Sequence, residues 1–232
     1  MKDIILPHGK YEDLESYKNC VIIYAATQYF CQHHLLRGDR TRDQMIQAAR
    51  SGKQNIVEGS MASGTSTETE LKLISVARAS LEELLEDYKD YLLIHTLPLW
   101  SKEDARIIQI RQMARTKEKC YDIYRPFIEN CSSEVTCNAM ITLIHQTNFL
   151  LDHLLDCLQR AFCAKGGMRE RMNQARSQSR ETKFRLYFDQ ELERLRTIYQ
   201  KLNADNTINA ELKAEVLSLV HEVAMLLKAK SQ

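Results

Sequence analysis

The chain has 232 residues, of which 44% are hydrophobic and 27% are charged, with only 7 glycines and 3 prolines. This length is sufficient for one or two domains with a buried core, and the composition excludes collagen-like, low-complexity and disordered proteins. The formal net charge of +1 predicts no overall preference for nucleic acid or for an anionic membrane. Any such preference must come from an uneven distribution of charge along the chain.

The seven cysteines include no Cys-x-x-Cys pair, and a chain of this length does not need disulfide bonds for stability. We therefore expect a reducing, cytoplasmic location. The N-terminal segment lacks the apolar core of a secretory signal, and the longest apolar runs are far shorter than the roughly 20 residues of a membrane-spanning helix. The sequence thus predicts a soluble protein without membrane association.

Apolar residues at spacings of three and four predict helices along the first two thirds of the chain. The first helix is predicted over about residues 11–36 and the second over residues 39–58. Gly52 is expected to be tolerated inside the second helix at a cost of about 1 kcal/mol. Gly59 is expected to form its C-terminal cap.

Thr67 and Glu70 have the spacing of a capping box, so they predict the start of a third helix. This helix should end before Pro98, because the residue that precedes a proline disfavours helical geometry. A more polar helix is predicted over about residues 102–125 as an insertion, with an interruption near Pro126.

The next predicted helix carries the widest apolar face in the chain, and Ser133 is its expected N-terminal cap. Together these elements predict an up-and-down four-helix bundle over residues 11–165, with one inserted helix. Four leucines of the third helix and of this last helix are expected in its core: Leu81, Leu84, Leu151 and Leu154.

A basic segment over residues 166–183 follows, and two heptad-like apolar runs then predict an antiparallel helical hairpin over residues 184–230. The hairpin seam is expected to place Phe188, Leu192, Leu195 and Tyr199 against Leu212, Leu219, Val223 and Leu226. No strand pattern competes with these helices, so the sequence predicts an all-α protein.

Two separated segments carry a resemblance to a known family. The first consists of residues 54–60 (QNIVEGS), 67–70 and 79–84. It is similar to the four-helix-bundle proteins encoded in intervening sequences of large-subunit ribosomal RNA genes. The accessory variability proteins of diversity-generating retroelements belong to the same broad group. The second consists of residues 137–148 and 166–172. It resembles the branch called four-helix-bundle suffix proteins.

The resemblance implies a bacterial, non-catalytic helical bundle in which Asn55, Glu58 and Gly59 belong to the structural signature. It also implies an oligomer, often ring-shaped, with basic surfaces that bind RNA or DNA and, in the retroelement members, a reverse transcriptase. This chain departs from the family where Gly52 and Lys53 replace an apolar residue and a proline before the signature. It also adds the inserted helix and the hairpin.

The signature residues themselves favour a structural interpretation. Asn55 is expected to be a partly buried amide that satisfies backbone groups near the end of the second helix. Glu58 is predicted at that same end, where a carboxylate faces the negative end of the helix dipole. It should therefore have a compensating partner, either the free amides at the start of the third helix or a basic side chain. A catalytic acid is the less favoured interpretation.

We find no pattern typical of an enzyme. Residues 59–66 have the glycine spacing of a phosphate-binding loop, but Thr65 stands at the lysine position and a helix precedes the loop. The cysteine and histidines of residues 31–34 lack a recognised metal-binding spacing, and His145 is expected to be a satisfied histidine of the bundle. The sequence therefore predicts no catalytic residues, cofactor or metal.

Charge distribution is the most informative functional signal. Between residues 160 and 185 there are eight basic residues and two acidic ones, so the local charge is +6. Six of the basic residues are arginines, which suit bidentate contacts with phosphate. The residues expected to bind nucleic acid are Arg160, Lys165, Arg169, Arg171, Arg176, Arg180, Lys183 and Arg185.

Tyr187 and Phe188 follow this segment but fit the hairpin seam, so we expect backbone contacts with little sequence preference. The first hypothesis is an oligomeric helical adaptor that binds RNA or DNA through the basic segment. The alternative is a protein-interaction scaffold without nucleic acid, in which that segment pairs with an acidic helix of a neighbouring subunit or with a protein partner. The carboxylates of that helix are Glu82, Glu83, Glu86, Asp87 and Asp90.

Overall fold

The structure is a computed structural model that describes residues 10–116, 120–204 and 210–229. These residues form eight α-helices and no strand, which confirms the predicted all-α class. None of the described helices is both long enough and apolar enough to cross a membrane. In chain order the helices are α1 (Glu15–His34), α2 (Arg40–Ala62), α3 (Thr67–Ile94), α4 (Ala105–Met113), α5 (Tyr121–Ile128), α6 (Ser133–Lys165), α7 (Met168–Ala204) and α8 (Ala210–Ala229).

The chain divides into two compact units between Met168 and Arg169. In unit 1, α1 and α3 each contact both α2 and α6, while α4 and α5 contact α6 and α5 also contacts α1. Short connections join α1 to α2 and α2 to α3, so consecutive helices run antiparallel. This arrangement is compatible with the predicted up-and-down bundle. Unit 2 contains α7 and α8.

Apolar side chains from the helices of unit 1 form one core. Leu81, Leu84 and Leu151 are fully buried in it, as predicted. Leu154 was predicted in the core as well, but it is only half-buried and packs against the core from its edge. Asn19, in the second turn of α1, donates to Thr147 of α6, and Leu151 and Leu154 lie one and two turns further along α6.

The second helix is longer than predicted, because α2 continues to Ala62 and Gly59 lies inside it. Gly59 is therefore not a C-terminal cap. A Cβ atom at Gly59 would lie 3.2 Å from Cδ1 of Ile74, and one at Gly52 would lie 2.8 Å from Cδ2 of Leu81. The two glycines let α2 approach α3 closely, which explains why two poor helix formers stand inside α2.

Two predicted N-terminal caps are displaced by one residue. Ser66, and not Thr67, caps α3, since its Oγ accepts a hydrogen bond at 3.1 Å from the amide three residues later. Ser132, and not Ser133, caps α6 through an equivalent contact of 3.4 Å. A capping residue needs an extended backbone, which Ser66 and Ser132 have and which the first helical residue does not.

The insertion predicted over residues 102–125 as one helix is two helices, α4 and α5. Asp104 caps α4 by accepting a hydrogen bond from the amide of Arg106 at 2.8 Å. Tight turns at residues 115 and 116 follow the end of α4. Pro126 does not interrupt a helix but lies inside the short α5, two residues before its end.

Unit 2 begins with a helix that is longer than either segment predicted there. The basic segment and the first arm of the hairpin together form the continuous helix α7. Phe188 is buried as expected, but Tyr199, Leu219 and Val223 are exposed, so their predicted burial in the seam is wrong. Leu212 and Leu226 have side chains outside the described part of the chain, and the antiparallel pairing of α7 with α8 stays a prediction.

Candidate nucleic-acid interface

A glycine turn divides the eight predicted binding residues between two helices. Gly166 ends α6 with a φ of +67°, a backbone region that glycine adopts far more readily than other residues. Arg160 and Lys165 lie on α6 in unit 1, whereas the other six residues lie on α7 in unit 2. The side chains of Lys165 and Arg171 fall outside the described part of the chain. The structure therefore places six of the eight predicted binding residues along one helix, α7.

Four of these basic residues share one face of α7. Their spacings of 7, 4 and 3 residues place them within about 60° of one another around an α-helix. The stripe is about 21 Å long at the helical rise per residue. Arg185 lies on the opposite side of α7 by the same register. The basic face of α7 consists of Arg169, Arg176, Arg180 and Lys183.

The basic face is exposed, and none of its four side chains forms an ion pair with a carboxylate of a described residue. The later part of α7 differs in this respect. Arg194 Nη1 lies 3.7 Å from Glu191 Oε1. Arg196 Nη1 lies 3.1 Å from Glu193 Oε2. The cations of the basic face can therefore contact phosphate groups without breaking such ion pairs.

Tyr187 continues the basic face, four residues after Lys183 and seven after Arg180. Its side chain is 63% exposed, so its predicted place in the hairpin seam is wrong, whereas the neighbouring Phe188 is 3% exposed. Successive helical residues point about 100° apart, so a narrow seam cannot hold both. An exposed aromatic ring beside cations is a surface on which an unpaired base can stack. In the sequence, the four-residue spacing between Lys183 and Tyr187 was the signal that could have placed Tyr187 on the basic face.

Asn55 has the structural role expected of it, although at a different place in the helix. It is half-buried, and its Nδ2 donates to the carbonyl oxygen of Ser51 at 2.9 Å and to Ser51 Oγ at 3.0 Å. A hydrogen bond of 2.9 Å joins Ser51 Oγ to Ser80 Oγ on α3. Asn55 thus supports the contact between α2 and α3 from the interior of α2, not from its end.

Glu58 does not have the compensating partner predicted for it. It is exposed and forms no hydrogen bond or ion pair with a described residue. Because α2 continues to Ala62, the free carbonyl groups of its last turn lie beyond Glu58. The expected conflict with the helix dipole is therefore weaker than the shorter predicted helix implied. Gly59 of the signature is buried against Ile74 of α3, whereas Glu58 is exposed.

His145 is not the satisfied bundle histidine that the sequence predicts, because it lies on the exposed side of α6. Partial burial lowers its pKa, and the nearby charge of Lys89 lowers the pKa further. Within the described ranges, no group of three histidine, cysteine or acidic side chains is placed to hold a metal ion. All seven cysteines are free thiols.

The acidic helix of the alternative hypothesis is α3, and part of its charge is neutralised within unit 1. Glu82 Oε2 lies 3.1 Å from Arg78 Nη1. Glu86 Oε1 lies 2.8 Å from Lys89 Nζ. These two carboxylates are therefore less suited to pairing with another basic segment.

The rest of the acidic helix keeps a concentrated negative charge. Burial raises the pKa of Asp87 to about 6, and the charges of Glu83 and Asp90 add to this effect. One carboxylate oxygen of Asp87 is buried without a hydrogen-bond partner among the described residues. A positively charged partner would relieve this repulsion.

Comparison with models of protein families, with curated proteins and with solved structures finds no match for this chain. The resemblance to the four-helix-bundle suffix family therefore stays a hypothesis based on the residues that carry it. The function of the protein has to be inferred from the geometry and charge of its own surface.

Proposed function

We propose that the protein is a non-catalytic, oligomeric helical adaptor that binds RNA or DNA with little sequence preference. The observation that carries this proposal is the basic face of α7, whose four exposed cations have no carboxylate partner among the described residues. The resemblance to four-helix-bundle suffix proteins favours the same class of function, and membership of that family is part of the proposal.

Contacts with phosphate account for the expected lack of specificity. Lysine and arginine that bind phosphate displace counterions, so affinity depends on salt and not on the identity of the bases. The length of the basic face, about 21 Å, matches the rise of about six base pairs of duplex DNA. Tyr187 adds a stacking surface that any unpaired base can use.

Exposed apolar side chains in unit 2 support the oligomeric part of the proposal. Burial of such side chains against another chain would be favourable, because it removes apolar surface from water. A second copy of the chain would cover such residues on α7 and α8. The exposed apolar residues are Phe184, Leu186, Ile198, Leu219, Val223 and Met225.

Fluorescence anisotropy with labelled single-stranded and duplex oligonucleotides, measured over a series of salt concentrations, tests the proposal. The double variant Arg176→Gln/Arg180→Gln should lower affinity similarly for unrelated sequences. It should also reduce the slope of log K against log salt by about 2, because each lost phosphate contact removes about 0.9 for duplex DNA. The matched control is Arg194→Gln/Arg196→Gln, which removes the same charge from the paired part of α7 and should have a smaller effect.

A second variant separates stacking from charge. Tyr187→Ala should weaken binding of single strands by about 1 to 3 kcal/mol and leave duplex binding nearly unchanged. Circular dichroism and sedimentation verify that each variant keeps its helix content and oligomeric state. Failure of the wild-type protein to bind any oligonucleotide at low salt would refute the proposed function.

The acidic cluster around Asp87 favours a second candidate, a protein-interaction scaffold without a nucleic-acid role. In that case the basic face of one chain would pair with Glu83, Asp87 and Asp90 of a neighbour. The variant Glu83→Gln/Asp90→Asn would then dissociate the oligomer in sedimentation experiments, whereas nucleic-acid binding predicts no such loss. A positive result combined with no oligonucleotide binding would establish the scaffold.

A further inference from the structure

Unit 1 contains an open cavity of about 880 Å³, formed by α1, α3, α4, α6 and the connections on either side of α4. This volume lies in the range of sites that bind small organic molecules. The cavity belongs to unit 1, whereas the basic face of α7 belongs to unit 2. The residues that line it come from four helices and two connections, so they are widely separated in the sequence.

Positive charge is concentrated around this cavity, although the whole chain is nearly neutral. Among the described residues of the lining, Glu15 is the one acidic side chain, and its Oε1 already lies 2.8 Å from Lys18 Nζ. His145 also lines the cavity, and its lowered pKa reflects partial burial and the nearby lysines and arginine. The basic residues of the lining are Lys89, Lys102, Arg111 and Arg115.

A second part of the lining is apolar. Trp100, Ile107 and Ile141 are almost completely buried side chains that also line the cavity. Phe149 belongs to the lining as well and is 72% exposed. The cavity therefore combines cations with an apolar surface.

Trp100 is held in place from several sides. Its Nε1 donates to Glu134 Oε1 at 2.7 Å, and its backbone amide donates to Asn138 Oδ1 at 2.8 Å. The guanidinium carbon of Arg106 lies 3.4 Å from the centre of the indole ring. Asn138 also donates to the carbonyl oxygen of Pro98 at 3.0 Å, which ties the connection to α6. A wall fixed in this way needs little reorganisation when a ligand binds.

Two amides in the lining have unused hydrogen-bonding capacity. Asn19 Nδ2 donates to Thr147 Oγ1 at 3.2 Å, and Gln146 Nε2 donates to the carbonyl oxygen of Arg111 at 3.3 Å. The other polar atom of each amide is a buried oxygen without a hydrogen-bond partner among the described residues. Buried acceptors of this kind need a hydrogen-bond donor, which a water molecule beside the bound anion can supply.

We propose that this cavity binds a small organic anion with an apolar body. The apolar body lies against Trp100 and Ile141, and the carboxylate or phosphate group lies among the basic side chains. The cations alone would suit any anion, and the apolar wall alone would suit a neutral molecule. Their combination in one cavity selects an amphipathic anion. This site is independent of the nucleic-acid function proposed for α7.

Trp100 is the only tryptophan of the chain, so its fluorescence reports on the cavity directly. The full-length protein is titrated with four probes: octyl phosphate, octanoate, octanol and inorganic phosphate. We expect a saturable change in emission with at least one of the two octyl anions. Octanol and inorganic phosphate should each bind at least tenfold more weakly. Comparison of the two anions distinguishes a phosphate ester from a carboxylate as the preferred group.

Variants locate the site of binding. Lys102→Gln/Arg111→Gln should weaken binding of the preferred octyl anion at least tenfold, and Arg115→Gln provides a second test at an exposed position of the lining. Arg37→Gln is the matched control, because Arg37 is exposed in the connection between α1 and α2 and does not line the cavity. Circular dichroism verifies the fold of each variant.

Three results would overturn the proposal. The first is the absence of a saturable emission change with either octyl anion up to millimolar concentration. The second is equal affinity for octanol and the octyl anions, which would leave the cations without a role. The third is unchanged affinity in folded Lys102→Gln/Arg111→Gln and Arg115→Gln.

Discussion

At the scale of single residues, buried amides connect the helices of unit 1. Asn138 joins α6 to the connection before α4, and Asn19 joins α1 to α6. Asn148 is also buried, and its Nδ2 donates to Glu82 Oε2 on α3 at 2.9 Å. Each amide gives a specific partner to a polar group that burial would otherwise leave unsatisfied. These hydrogen bonds therefore allow fewer relative orientations of the helices than apolar packing alone would allow.

Two leucines of α6 should differ in their contribution to stability. Leu151→Ala should lower the free energy of unfolding by about 2 to 5 kcal/mol, because Leu151 is fully buried and its removal leaves a cavity. Leu154→Ala should cost only roughly 1 kcal/mol, since Leu154 is half-buried and water can fill the space. Urea unfolding measures both values. Equal losses would mean that the core extends further along α6 than the structure indicates.

The raised pKa of Asp87 predicts a dependence of stability on pH. Its pKa is about 6 in the folded protein because of burial and the charges of Glu83 and Asp90. The folded state therefore holds a proton between about pH 4 and 6 that the unfolded state releases, so this contribution to stability falls as pH rises through that range. Asp87→Asn should stabilise the protein by about 1 kcal/mol at pH 7.5 and change little at pH 3.5.

Urea unfolding at the two pH values tests this effect. Asp156→Asn is a suitable control, because Asp156 is an exposed carboxylate on α6 and the change should have little effect at either pH. A gain from Asp87→Asn that is the same at both pH values would show that ionisation of Asp87 is not its cause.

At the scale of helices, the close contact between α2 and α3 depends on glycine. Gly52 and Gly59 both face α3, but the space around them differs. The nearest atom to a new Cβ would be 2.8 Å away at Gly52 and 3.2 Å away at Gly59. The neighbour at Gly52 is Leu81, which is fully buried and cannot move freely.

Alanine at the two glycine positions should therefore have different effects. Gly52→Ala should lower the free energy of unfolding by about 1 kcal/mol, because overpacking outweighs the gain in helix propensity. Gly59→Ala should be nearly neutral. The loss at Gly52 should shrink in a Leu81→Val background, which a double-mutant cycle measures. Additive effects of these two changes would contradict the proposed clash.

At the scale of the whole chain, the two units differ in the burial of their side chains. The core of unit 1 contains most of the buried apolar residues among those described, whereas the described side chains of α7 and α8 are largely exposed. Burial of apolar surface is the main source of stability, so unit 1 should determine the cooperative unfolding of the protein. The described side chains of unit 2 bury little apolar surface, and the proposed oligomer would bury more of it.

Truncation after Arg180 should leave unit 1 folded, because unit 1 ends at Met168. The shortened chain should keep a single cooperative transition in thermal unfolding followed by circular dichroism. Its affinity for nucleic acid should fall, since Lys183 and Tyr187 are removed. Loss of all cooperative unfolding would place residues 181–232 in the main core and contradict the division into two units.

The sequence by itself determined the all-α class, the approximate positions of most helices and the local excess of basic residues. These features depend on apolar spacing, proline and charge, which are local properties of the chain. It also located the buried leucines Leu81, Leu84 and Leu151, because a helix with one apolar face must turn that face towards other helices. The prediction of the inserted helix was less accurate. It missed the break between α4 and α5, because the turns after Met113 carry no proline or glycine.

Only the tertiary structure decided which residues meet. Whether Gly59 caps a helix or lies in a close contact depends on the distance to α3, and the exposure of Tyr187 depends on which side of α7 is covered. The cavity beside Trp100 brings together side chains from residues 15 to 150, and no spacing in the sequence indicates this. The physical reason is that local spacing specifies the direction of a side chain around its own helix, whereas its surroundings are set by helices distant in the chain.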